Sequence, residues 1–192
     1  QVVTMRNVFD IIPFIFLFFV PAISMRTLSE EKKSGTIELL LTKPISDTDI
    51  VMGKFLAALA LTGIALAFTL IYVISLTFLG KIDLGSIIGT YIGLLLMSGV
   101  YISIGIFASS LTENQVVAFI ISFLMVFALF LLNKVLVFLP TSLASILEYI
   151  SIDYHFGSIA RGVIDTRNII YYLSGITIFI LLTRASLERR KW

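Results

Sequence analysis

Residues able to make or break bonds are few in this chain, and they are scattered. His155 is the only histidine and there is no cysteine, so neither a metal centre nor thiolate chemistry is indicated. Gly53-Lys54 lacks the upstream glycine and the following hydroxyl residue of a phosphate-binding loop, so the chain itself is not expected to bind ATP. No nucleophile stands at a spacing that brings a base to it. His155 is expected to cap or orient the segment around it against the last apolar stretch, and Asp10 to pair with Arg6 or another basic residue in a structural role. The charges that do cluster form one block, Arg26 to Pro44, in which Glu30, Glu31 and Glu38 are interleaved with Lys32, Lys33 and Lys43. Carboxylates and lysines on one short amphipathic stretch suit docking to a surface.

The elements that must hold this block are apolar. With 58% apolar residues and a mean hydropathy of +1.05, the chain cannot hide its hydrophobic surface in a water-soluble core. Phe55 to Gly80 and Leu84 to Thr112 carry no ionisable acid or base apart from tyrosines, and each exceeds the ~20 apolar residues that a membrane-crossing helix needs. The expected fold class is therefore all-α, a polytopic membrane protein with five spans: Val8 to Met25, Lys54 to Leu79, Gly85 to Leu111, Gln115 to Asn133 and Asn168 to Thr183. The first and last are short and need Asp10 or Arg184 to reach an interface. A net charge of +2 is too small to suggest a nucleic-acid partner.

Basic residues set the orientation. Arg26, Lys32, Lys33, Lys43, Lys54, Arg184, Arg189, Arg190 and Lys191 fall on one side of an alternating topology, nine against the five of Arg6, Lys81, Lys134, Arg161 and Arg167. The richer side is expected to be cytoplasmic. The 27–44 connector, the Glu113-Asn114-Gln115 turn and the C-terminus then lie inside. The 134–167 segment lies outside, where Val135 to Leu147, interrupted by Pro140, is expected to form a re-entrant or interfacial hairpin. Tyr149, Tyr154, Tyr171 and Tyr172 are expected near the outer headgroups. One more span before Gln1 would return the N-terminus to the cytoplasm, so residues 1–192 read as one membrane domain holding the second to sixth of six spans.

Within the connector, Thr27 and Glu30 have capping-box spacing, which predicts a short helix starting there. Gly35 permits a bend, and Ile37, Leu40 and Leu41 then form an apolar strip beside Glu38. Ser46 with Asp49 predicts a second cap, opening the next membrane helix. Such an element could lie on the membrane surface or dock on a protein; three carboxylates favour a protein groove with basic residues. On the third span, Gly85, Gly89 and Gly93 recur every fourth residue. Small residues at that spacing permit close helix packing, within the chain, between two copies, or along a substrate path.

These residues resemble a known family. Pro-Ala-Ile-Ser-Met-Arg from Pro21, Glu-Glu-Lys-Lys-Ser-Gly-Thr-Ile-Glu-Leu-Leu-Leu-Thr-Lys-Pro-Ile from Glu30 and Val-Met-Gly-Lys-Phe from Val51 are similar to the permease subunits of ABC-2 type transporters. The nearest likeness is to the gliding-motility-associated permeases, with the nitrous-oxide-reductase maturation permeases close by. Ser-Ser-Leu-Thr-Glu-Asn-Gln-Val-Val-Ala from Ser109 and His-Phe-Gly-Ser-Ile-Ala-Arg-Gly-Val-Ile-Asp from His155 extend the match over nearly the whole chain.

The resemblance implies a non-enzymatic membrane subunit in the cytoplasmic (inner) membrane of a bacterium or archaeon, paired with a second permease chain as a homodimer or a related pair. ATP and Mg would be bound by a separate cytosolic ATPase, and this chain would carry no cofactor. The 27–44 segment would be the coupling element, meeting the ATPase through Glu30, Glu31, Gly35, Thr36, Glu38, Leu40 and Leu41. Two other classes compete: a secondary transporter driven by an ion gradient, and a non-transporting membrane anchor of a gliding or secretion machine. Spans without internal charge weigh against the first.

Overall fold

The computed structural model of the chain describes residues 6–36, 46–78, 83–135, 148–163 and 165–188. Among these residues there are helices and no strands. The helices are α1 (Arg6–Ser24), α2 (Arg26–Lys33), α3 (Asp47–Thr77), α4 (Leu84–Leu111), α5 (Gln115–Val135), α6 (Ile152–Ala160) and α7 (Thr166–Glu188). Among the described residues, five stretches are long and apolar enough to cross a membrane: Ile11–Lys33, Asp47–Thr77, Leu84–Leu111, Gln115–Leu132 and Thr166–Glu188.

Short polar residues begin four of the helices. Ser46 and Asp49 form the expected capping box at α3, with the Asp49 amide donating to Ser46 Oγ at 3.1 Å and the Ser46 amide donating to Asp49 Oδ2 at 3.1 Å. Asp83 accepts from the amides of Gly85 and Ser86 at α4. Asn114 accepts from Val116 at α5, and Asp165 from Arg167 at α7. Each cap satisfies amide donors that the first turn leaves without an intrahelical acceptor, a contribution of about 1 kcal/mol.

The observed spans outrun the charge-free windows at several ends. Helix α3 starts at Asp47, seven residues before Lys54, because the Ser46 cap opens it ahead of the membrane. Helix α7 continues past Thr183 to Glu188, where Arg184 Nε donates to Glu188 Oε1 at 2.7 Å across one turn. The first crossing stretch does not stop at Met25 but runs on through α2 after a single turn residue.

Helix α4 is the hub, in contact with all six other helices. Its best apolar window is 78% buried, against 22% for α3 and 17% for each of α5 and α7. Composition explains the difference. Gly89, Gly93, Gly99 and Gly105 with Ser98, Ser103, Ala108 and Ser109 leave α4 slim, so helices approach it closely, while a stripe through Leu84, Ile88 and Leu95 stays exposed. The serines hydrogen-bond within the helix, Ser98 to the Leu95 carbonyl at 2.8 Å and Ser103 to the Val100 carbonyl at 2.7 Å, which makes them acceptable without water. In contrast, α3 turns Ile64, Phe68, Ile71, Tyr72 and Ile74 outward, a surface suited to lipid.

Candidate functional site

The charged block meets the membrane body where α1 turns into α2. The turn at Met25 is held by a side chain from elsewhere. Ser109 Oγ, in the last turn of α4, accepts from the amides of Leu28 at 3.1 Å and Ser29 at 2.9 Å, and donates to the Met25 carbonyl at 2.8 Å. Thr27 Oγ1 donates to the Ser24 carbonyl at 2.7 Å. The expected capping box of Thr27 with Glu30 is therefore not formed, and α2 has no side-chain cap of its own. The reason is that α2 follows directly on a preceding helix: Thr27 finds a carbonyl one turn back, while Ser109 takes the amides.

Helix α2 is amphipathic across this contact. Leu28, Ser29 and Lys32 are buried on the α4 side, whereas Arg26, Glu30 and Lys33 are exposed. The Lys32 ammonium donates to the Ser110 carbonyl, which also accepts from Ser186 Oγ of α7 at 3.4 Å. That carbonyl lies in the last turn of α4, where backbone acceptors lack intrahelical donors and the helix dipole favours a cation. On the other flank Glu31 pairs with Lys54 of α3. A groove of about 420 Å³ opens between α2 and α3, and its charged rim is Arg26, Glu30, Glu31 and Lys54.

Beyond Lys33 the helix ends with the Ser34 amide on the Glu30 carbonyl at 3.0 Å and the Gly35 amide on the Lys32 carbonyl at 3.3 Å. Gly35 has φ +70°, a left-handed conformation, and a Cβ there would meet nothing within 4 Å. Glycine is required at that position by backbone conformation alone. Thr36 is exposed, with its hydroxyl 2.8 Å from that of Ser34.

Of the residues expected to meet an ATPase, Glu30, Gly35 and Thr36 thus project from the body, and Glu31 faces α3. Glu38, Leu40 and Leu41 lie outside the described residues. The side chains of Arg6 and Asp10 and most of the expected outer hairpin, residues 136–147, do so as well.

The opposite end of α4 carries a second junction. Gly89 and Gly93 face α6: a Cβ at Gly89 would overlap the Ile159 carbonyl, and one at Gly93 would lie 3.0 Å from the Phe156 ring. Gly85 instead lies next to Gly162, just beyond α6. Ser86 Oγ donates to the Ala160 carbonyl at 2.7 Å.

His155 fastens α6 to α7, its Nδ1 2.7 Å from Asn168 Oδ1, its Nε2 3.0 Å from the Tyr149 carbonyl, and its ring stacked on Tyr171. Tyr149 and Tyr154 are exposed as expected of headgroup residues, but Tyr172 is fully buried, with its hydroxyl donating to the Ile152 carbonyl at 3.0 Å. Its ring packs where α6 crosses α7, because the α6 backbone end offers it an acceptor that lipid does not.

Charge clustering located the connector, Lys32 included, but passed over Ser109 and Ser110, which bind it to α4. The available signal was a hydroxyl pair ending a charge-free span one helix away from a lysine.

Among the described residues, five apolar crossing helices, four of them packed around a slim central one, define a multi-pass helical integral membrane protein. A family model described as ABC-2 family transporter protein matches residues 3–192, and the chain belongs to that family. It is accordingly a permease-type membrane subunit of an ABC transporter. No curated protein and no solved structure matches the chain.

Proposed function

We propose that this chain is the membrane half of an ATP-driven exporter or mechanotransducing complex, and that motor movement enters it through α2 and leaves through α4. A cytosolic ATPase subunit, carrying ATP and Mg, grips the 27–44 element from below. Two permease chains, identical or related, stand side by side in the cytoplasmic membrane of a bacterium or archaeon. A role in gliding motility fits the same arrangement, in which force rather than cargo crosses the membrane.

The observation that supports this reading is the seating of α2 on the end of α4 by Ser109 and Lys32. A pull on α2 acts on a helix that touches every other described helix, including α6 at the far side. Because α4 is enclosed along residues 96–110, that half transmits displacement as a rigid body, unlike a lipid-facing span free to tilt. Glu30, Gly35, Thr36, Glu38, Leu40 and Leu41 supply the contact with the motor, while Glu31 braces the element against Lys54 of α3.

The chain lacks cysteine, so single cysteines report cleanly. A cysteine at Thr36 is expected to crosslink to the co-expressed ATPase. Replacing Glu38 and Leu40 together should then leave ATP hydrolysis running without transport or motility. Coupling that survives this double change, or a Thr36 cysteine labelled only from outside the cell, overturns the assignment.

A further inference from the structure

We infer that the groove between α2 and α3 is a binding site for a zwitterionic aminophospholipid of the adjoining leaflet, its phosphate on Arg26 and its primary ammonium on Glu30 and Glu31. The inference uses only the groove and the membrane around it, and it shares Glu30 with the proposed motor contact.

The rim of the groove holds two cations and two carboxylates. One of each is already matched, Lys54 with Glu31. Arg26 and Glu30 make no ion pair with each other or with any other described residue, although both face the groove and stand one helical turn apart on α2. They leave one positive and one negative group for a ligand. Glu31 adds to the demand, because its second oxygen, Oε2, is buried without a hydrogen-bond donor among the described residues. Such an oxygen favours an incoming N–H, and a primary ammonium brings three donors to a pair of carboxylates.

The floor is apolar. Ile23 of α1 with Ala57 and Leu61 of α3 continue the groove about two turns of α3 beyond Lys54, and the alanine leaves room for a chain to lie against the helix. Leu61 is 50% exposed and opens toward the lipid-facing surface of α3. A ligand seated here therefore has a charged head containing both signs, at the membrane edge, and a hydrocarbon tail running into the bilayer. The volume lies within the usual range for small-molecule sites, about 300 to 1,000 Å³. An anionic headgroup supplies the phosphate for Arg26 but leaves the carboxylates without a cation. A quaternary ammonium satisfies the charge but donates no hydrogen bond.

The test is native mass spectrometry of the purified full chain, released from detergent after equal additions of dioleoyl-phosphatidylethanolamine, dioleoyl-phosphatidylcholine and dioleoyl-phosphatidylglycerol. Retention of the ethanolamine lipid is expected to exceed that of the glycerol lipid about tenfold, the value of one charge-assisted hydrogen bond. The choline lipid should fall between them. Ala57→Leu fills the floor from an exposed position without entering the core, and Arg26→Gln removes the phosphate partner; each should lower retention of the ethanolamine lipid about tenfold. An unchanged melting temperature for either variant confirms that it is folded. Equal retention of all three lipids, preference for the glycerol lipid, or undiminished binding by a folded Ala57→Leu protein overturns the proposal.

Discussion

Replacing Ser109 with alanine isolates the joint between α2 and α4. The substitution removes one hydroxyl and, with it, three hydrogen bonds: two accepted from the amides of Leu28 and Ser29 and one donated to the Met25 carbonyl. Within membranes a hydrogen bond between helices is worth about 0.6 kcal/mol on average and up to about 1.7, because the separated helices find other partners. Three such bonds at one atom come to about 2 kcal/mol, which is about a thirtyfold rise in the opening of the joint. The readout is hydrogen exchange at the Leu28 and Ser29 amides in detergent or nanodiscs, followed on a peptide from the α1–α2 turn. These amides should exchange about thirtyfold faster in Ser109→Ala, while amides in the middle of α3 keep their rates. Ser109→Thr keeps the hydroxyl and should sit closer to the parent protein. If both amides exchange at the parent rate in Ser109→Ala, they are bonded within their own helix, and the argument that α4 holds α2 fails.

Two further outcomes follow from backbone geometry. Gly89→Ala places a methyl group against the Ile159 carbonyl and forces α6 off α4, so it should destabilise the protein by about 1 to 3 kcal/mol, read from an SDS titration of the detergent-solubilised chain. Gly35→Ala touches nothing but must hold a left-handed backbone at a cost of about 1 to 2 kcal/mol, whereas Gly35→Asn should cost less; proteolysis rates at the end of α2 compare the two.

The spans were legible because lipid imposes one demand, an internally hydrogen-bonded apolar helix, and stretches such as Phe55 to Gly80 meet it without ambiguity. Their ends were less so. Arg184 and Glu188 look like the close of a span when charge is the criterion, yet their pairing extends α7 through both. The cap at Ser46 and Asp49 could be read because donor and acceptor lie three residues apart in sequence. The cap at Leu28 and Ser29 could not, because its acceptor sits on another helix.

The same distinction applies to Thr27 and Glu30, whose spacing suits a box that a continuous upstream helix makes unnecessary. Gly89 and Gly93 announced close packing without naming the neighbour. That the neighbour is α6 depends on how the chain folds back after α5, which no local pattern encodes.

The junction between α1 and α2 has a consequence for biogenesis. Its acceptor, Ser109, is 81 positions further along the chain than Leu28, so the ribosome completes the first crossing segment long before the hydroxyl that holds it exists. At that stage the Leu28 and Ser29 amides have only carbonyls of the same segment, or water, to bond. Helix α2 is fastened to the body when the slim central helix arrives, so placement of that helix is also the step that fixes the charged face of α2.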